Sequence, residues 1–222
     1  MMRRHWHQRR QRGVTLIELA LVLGVAGLII GSIWAAASVA HEARKVNETV
    51  DQVRQIVENI RTRYLTANQI PPQDFTNFTQ TVAAANVFPA ETWLTPGDPS
   101  GCSGATPCYF YHPFESDGTG STCNGGTYCV GSAAALLGNV QGNANSGFVL
   151  LLRSLPQAVC VKLASHFLDV WDGIGVTGMG FNNGDAALPG TSFWPNPPTA
   201  VQVQGNCAAG NANSLYIAFR HA

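Results

Sequence analysis

GVTLIELALVLGVAGLIIGSIWAAASVA, residues 13–40, sets a single carboxylate, Glu18, at the head of a run otherwise fit to cross a membrane. Leu19 to Ala40 are 22 residues without a charge. At about 1.5 Å per residue such a helix crosses a hydrocarbon core of roughly 30 Å. A charge buried there costs about 2.5–3.5 kcal/mol even on the mildest insertion scale, so Glu18 needs a reason to be present.

The helical pattern does not stop where the apolar run stops. Val46, Val50, Val53, Val57, Ile60 and Tyr64 recur at alternating steps of four and three, one apolar stripe on a helix that is otherwise charged. No proline occurs between Val14 and Ile70, and Pro71 and Pro72 then end the pattern. The spacing predicts one helix from about Val14 to about Thr66, apolar all round in its first half and amphipathic in its second. Fewer than three heptads carry the stripe, which favours packing on a following domain over a coiled coil.

The net charge of zero conceals an asymmetry. Arg3, Arg4, Arg9, Arg10 and Arg12 lie ahead of the first acid, Glu18. Without them the chain keeps eight basic residues against thirteen acidic ones, a net charge near −5, which makes sequence-specific nucleic-acid binding a poor expectation. Six cysteines, all beyond residue 100, are even in number and fall among loops and short strands. Behind an N-terminal export segment they read as disulfides in an oxidising compartment. Zinc fits less well, because Cys102/Cys108 and Cys123/Cys129 each enclose five residues, where zinc pairs usually enclose two to four.

Past Pro72, residues 73–93 have room for a short helix and Tyr109–His112 is an aromatic strand candidate. GFVLLL (147–152) reads as a buried strand. In the next helix, at about 155–168, Ser154 and Gln157 fit a capping box, and Cys160, Leu163, Ala164 and Phe167 share an inner face. The glycine- and proline-rich stretch 172–200 reads as a loop, with VQVQ (201–204) and SLYIAF (214–219) as the last strands. The fold class expected is α+β: a long N-terminal helix packed on an antiparallel sheet of about four to six strands.

GVTLIEL, with its basic leader, the glutamate five positions after Gly13 and the long helix behind it, resembles the processing motif of type IV pilins and pseudopilins. The resemblance implies that a prepilin peptidase cuts after Gly13 on the cytoplasmic side of the bacterial inner membrane and methylates the new amine of Val14. It also implies assembly of the mature chain, with other pilin subunits and the assembly machinery, into an extracellular pilus. Glu18 then pairs with the Val14 amine of a neighbouring subunit inside the apolar filament core. Val14 in place of phenylalanine is closer to the type IVb group, whose leaders are commonly longer than the thirteen residues here, and the proline that many type IVa pilins carry would fall at Ala35 and is absent. The layout at the C-terminus also resembles the type IVb group: Cys160 and Cys207 bracket the glycine- and proline-rich segment, like the disulfide-bounded region of that group. For Cys102, Cys108, Cys123 and Cys129 the local pairs 102–108 and 123–129 are favoured, with a crossed arrangement open. The organisation implied is a leader (1–13), the membrane and filament-core half of the helix (14–40), its amphipathic half (41–66) and a head (67–222) containing the bounded region 160–207.

Three functions compete on the sequence: a pilus subunit serving adhesion, motility or DNA transfer; a minor pilin, tip adhesin or type II secretion pseudopilin; and a membrane-anchored periplasmic enzyme. The last lacks support, since no G-x-S-x-G, H-E-x-x-H or phosphate-binding glycine loop occurs. His112 and His166 have no partner that spacing identifies. Asp169 with Asp172, and Asp98 with Asp117, read as solvated turn residues rather than as calcium ligands. No metal, cofactor or catalytic residue is expected.

Overall fold

The structure is a computed structural model that describes residues 15–65, 70, 72–92, 110–114, 128–133, 147–183, 193–210 and 213–220. The chain forms two compact units, one ending at Arg44 and the other beginning at Lys45. Helix α1, Leu16–Tyr64, supplies the described part of the first unit and the opening element of the second. Its apolar side chains through Val39 are exposed, whereas Val46, Val50, Val53, Val57 and Ile60 are buried. The stripe predicted from the sequence is therefore the face that packs.

The second unit is built on a five-stranded antiparallel sheet in the order β1-β2-β5-β3-β4: β1 Tyr128–Ser132, β2 Gly147–Leu155, β3 Val176–Asn183, β4 Phe193–Trp194 and β5 Asn213–Arg220. Alternation along each strand divides the side chains between two apolar clusters. Phe148, Leu150, Leu152, Leu215, Ile217 and Phe219 join the α1 stripe, while Val149, Leu151, Tyr216 and Ala218 pack with Phe75 on the other side. The register sets Phe148 opposite Phe219, and their rings stack at 5.4 Å.

Helix α2, Phe75–Ala84, closes the β1 edge that would otherwise offer unpaired backbone groups to another chain. The Thr79 hydroxyl accepts from Val130 N–H and donates to the Val130 carbonyl, and Ser132 N–H donates to the Gln73 carbonyl. Tyr128 N–H, on the same edge, donates to the Phe110 carbonyl. At the other end of the stripe, Arg61 donates to the Ile174 carbonyl at 2.7 Å and to that of Arg220. Gly175 sits beside it with φ of +67°, and the Arg61 guanidinium lies 2.7 Å from where a Cβ would be. Glycine is thus favoured there by the backbone conformation, and the arginine side chain would have to shift to admit a Cβ.

Three expectations need correction. Residues 201–204 are not a strand but part of helix α4, Ala200–Asn206, started by a complete capping box between Thr199 and Gln202. The stretch 172–200 is not all loop, since it contributes β3 and β4. The helix near 155–168 is α3, Gln157–Asp169, and its N-cap is Pro156 with no side-chain cap, so Ser154 and Gln157 form no capping box. Ser154 instead takes a left-handed conformation, φ of +53°, where the β2 register shifts. In the candidate strand 109–112, Phe110 and Tyr111 make isolated bridges and Tyr109 lies outside the described residues.

Candidate functional site: the helix start and the disulfide-bounded region

The described chain begins at Thr15, whose hydroxyl accepts the Glu18 N–H at 3.3 Å while its carbonyl accepts from Leu19. Thr15 therefore caps the helix, and Glu18 stands in the first turn, where the helix dipole favours an anion. T-x-x-E is the sequence form of a capping box, a local signal overshadowed by the longer motif that contains it. Around Glu18, Leu16, Ile17 and Leu19 are 88%, 78% and 52% exposed, so the carboxylate is set in a fully presented apolar surface. Gly13 and Val14 lie outside the described residues.

The second feature is the disulfide between Cys160 on α3 and Cys207 at the end of α4, 47 positions apart in sequence. Both cysteines are buried, Cys160 on the same inner face as Leu163, Ala164 and Phe167. Non-covalent bonds hold the same junction. The Gln157 amide donates to the Cys207 carbonyl at 3.0 Å, and its backbone N–H to that of Gly210. Buried Asn213 donates to the carbonyls of Leu155 and Ala208 and accepts from Ala208 N–H. The roles of Gln157 and Asn213 are not legible in the sequence, because their partners are backbone groups, which leave no trace there. Cys129 is buried and disulfide-bonded. Cys102, Cys108 and Cys123 lie outside the described residues.

The remaining titratable candidates serve the core. His112 Nε2 lies 2.6 Å from the Arg153 carbonyl and Nδ1 accepts the Phe114 N–H, so the ring is held as the neutral Nε2–H tautomer. Burial lowers its pKa to about 4, against the raising effect of the bond to Arg153. Its ring meets that of Tyr128 edge-on at 5.8 Å. Burial likewise raises the Tyr128 phenol well above its usual pKa, and the phenol donates to Gln52 on α1 at 2.8 Å. His166 contacts Arg54 at 3.4 Å across the α1–α3 packing. Asp169 and Asp172 are exposed, and the Asp172 carbonyl accepts Gly175 N–H in the turn before β3. Asp98 and Asp117 lie outside the described residues. Among the described residues no three His, Cys, Asp or Glu side chains gather into a metal-holding group.

No family model matches the chain, and no curated protein matches it. Solved structures do. The crystal structure of type IV b pilin from Salmonella typhi superposes with a TM-score of 0.50 at 17% identity, over 77% of this chain and 96% of that one. TcpA, a type IV pilin from Vibrio cholerae El Tor biotype, gives a TM-score of 0.49 at 14% identity, over 79% and 98%. The long N-terminal helix, the antiparallel sheet and the Cys160–Cys207 bridge together make this the type IV pilin fold.

Proposed function

We propose that this chain is a structural subunit of a type IV pilus, made at the bacterial inner membrane and polymerised with copies of itself into a surface filament for adhesion, motility or DNA transfer. In this reading a prepilin peptidase removes residues 1–13 by cutting after Gly13 and methylates Val14. Residues 14–40 contain the membrane anchor and afterwards form the filament core. Residues 41–66 carry the head, 67–222, whose outer region is bounded by Cys160–Cys207. The observation that carries the reading is Glu18: a carboxylate in the first turn of an exposed apolar helix, in a chain with the pilin fold. Cleavage at Gly13 creates a cation one turn away from that position, at the end of the helix where the dipole disfavours it. Pairing across staggered helices then satisfies both charges, and the leucines and isoleucines supply packing that has no direction of its own. The role is structural rather than catalytic, in keeping with buried His112 and Tyr128 being engaged in the core.

The reading is tested by intact-mass analysis of sheared surface filaments. The expected species begins at Val14, carries one added methyl group and has no free thiol. A soluble product beginning near Ser38 would instead make residues 1–37 a discarded export signal and end the pilin reading.

A further inference from the structure

We infer that Trp34 marks the outer boundary of the bilayer, so that the membrane-stage helix is spanned by residues up to Trp34 and not by the whole charge-free run to Ala40; this rests on the membrane stage of the function proposed above. Two boundaries compete in this helix. Chemistry separates them. Eleven of the eighteen residues from Leu16 to Ile33 are Leu, Ile or Val, against only Val39 among the six from Ala35 to Ala40. The drive to enter hydrocarbon, which scales with apolar area, is therefore nearly exhausted at Trp34. Trp34 lies 19 residue steps beyond Thr15, which in a helix is about 28 Å, the thickness of a hydrocarbon core.

Trp34 itself is 79% exposed, so packing among the described residues does not account for it. Its indole N–H can only donate, and the hydrocarbon centre offers no acceptor. At the headgroup level the ring stays in apolar surroundings while the N–H reaches water or lipid oxygen, which is where tryptophan collects in membrane proteins. The helix face it occupies turns polar beyond it. Ser38 and His41 follow at i+4 and i+7, and so lie on the same side as Trp34. The Ser38 hydroxyl donates to the Ala35 carbonyl, a group it can leave for water at an interface. Residues 35–44 thus lie outside the hydrocarbon on the extracytoplasmic side.

Introduced-cysteine labelling of the full chain tests this, scored above the labelling of the parent chain, whose described cysteines are all disulfide-bonded. Ile30→Cys, Ser38→Cys and Glu42→Cys are treated with a membrane-impermeant maleimide in spheroplasts of a host lacking the assembly machinery. The expected result is labelling of Ser38→Cys within about twofold of Glu42→Cys, with Ile30→Cys below about a tenth of it. Adding Trp34→Leu should lower Ser38→Cys labelling at least about fivefold by letting the helix shift toward the cytoplasm and draw residues 35–38 into the hydrocarbon, while Trp34→Tyr should leave it unchanged. Protection of Ser38→Cys equal to that of Ile30→Cys, or indifference to Trp34→Leu, overturns the boundary while leaving the anchor intact. Labelling of Ile30→Cys as strong as that of Glu42→Cys shows that no span exists and overturns the functional reading with it.

Discussion

His112 has a hydrogen-bond geometry that admits one protonation state. Its Nε2–H donates to the Arg153 carbonyl and its Nδ1 accepts from Phe114, so a second ring proton would face an N–H. With a folded pKa near 4 and an unfolded value of 6.5, the unfolded chain takes up a proton first as pH falls. The stabilising contribution is complete above pH 6.5 and is lost progressively down to about pH 4, on the order of 3 kcal/mol in all. Denaturant unfolding of the full chain in detergent should show this slope, and His112→Gln, which cannot gain a proton, should flatten it while lowering stability at pH 7. An unchanged slope in the variant would assign acid sensitivity elsewhere. The sequence left His112 without a partner because its acceptor is a backbone carbonyl, brought near by β2 and invisible to any spacing rule. The place of Glu18 in the first turn of α1 was legible for the opposite reason, since its context is contiguous in the chain.

Elements were legible where periodicity reports burial and were misread where it does not. The α1 stripe and the inner face of α3 emerged as predicted, because a 3.6-residue period has one physical cause, packing on one side. VQVQ alternates like a strand, yet Val201 is 79% exposed and Val203 buried, which is the helical pattern set by the Thr199–Gln202 cap. Strand β3, VTGMGFNN, was hidden by its glycines, which weaken strand propensity; pairing with β5 supplies what propensity lacks. The bridge joining α3 to α4 carries a prediction at this scale. A closed loop of this length contributes about 4 kcal/mol in the chain-entropy model. Replacing Cys160 and Cys207 together with alanine should therefore lower unfolding stability by more than removal of the Cys129 bridge, which closes a short loop worth about 2 kcal/mol if its partner is local. Equal losses from the two replacements would contradict the loop-length account and leave the Gln157 and Asn213 hydrogen bonds as what holds the junction.

Across the whole molecule, the long N-terminal helix was legible from its hydropathy and periodicity, and the head only as a layout of strands, helices and a bridge. A head needs only a buried stripe, a closed sheet edge and stapled loops, and many sequences meet those demands. In the proposed function the apolar helix is more tightly constrained, because it must be at ease in lipid before assembly and in register with its neighbours afterwards. Glu18 links the two states, and Glu18→Gln separates them. Glutamine keeps the size and also serves at the third helical position of a capping box, so helix initiation survives, and insertion is unaffected or eased by loss of the charge. The most direct measurement is the yield of sheared surface filaments, by electron microscopy and intact mass, from cells whose only copy of the subunit carries Glu18→Gln. The account predicts a processed subunit that begins at Val14 and remains in the membrane, with filaments lost or sharply reduced because the buried amine has no anionic partner. Abundant filaments composed of the Glu18→Gln chain alone would contradict it.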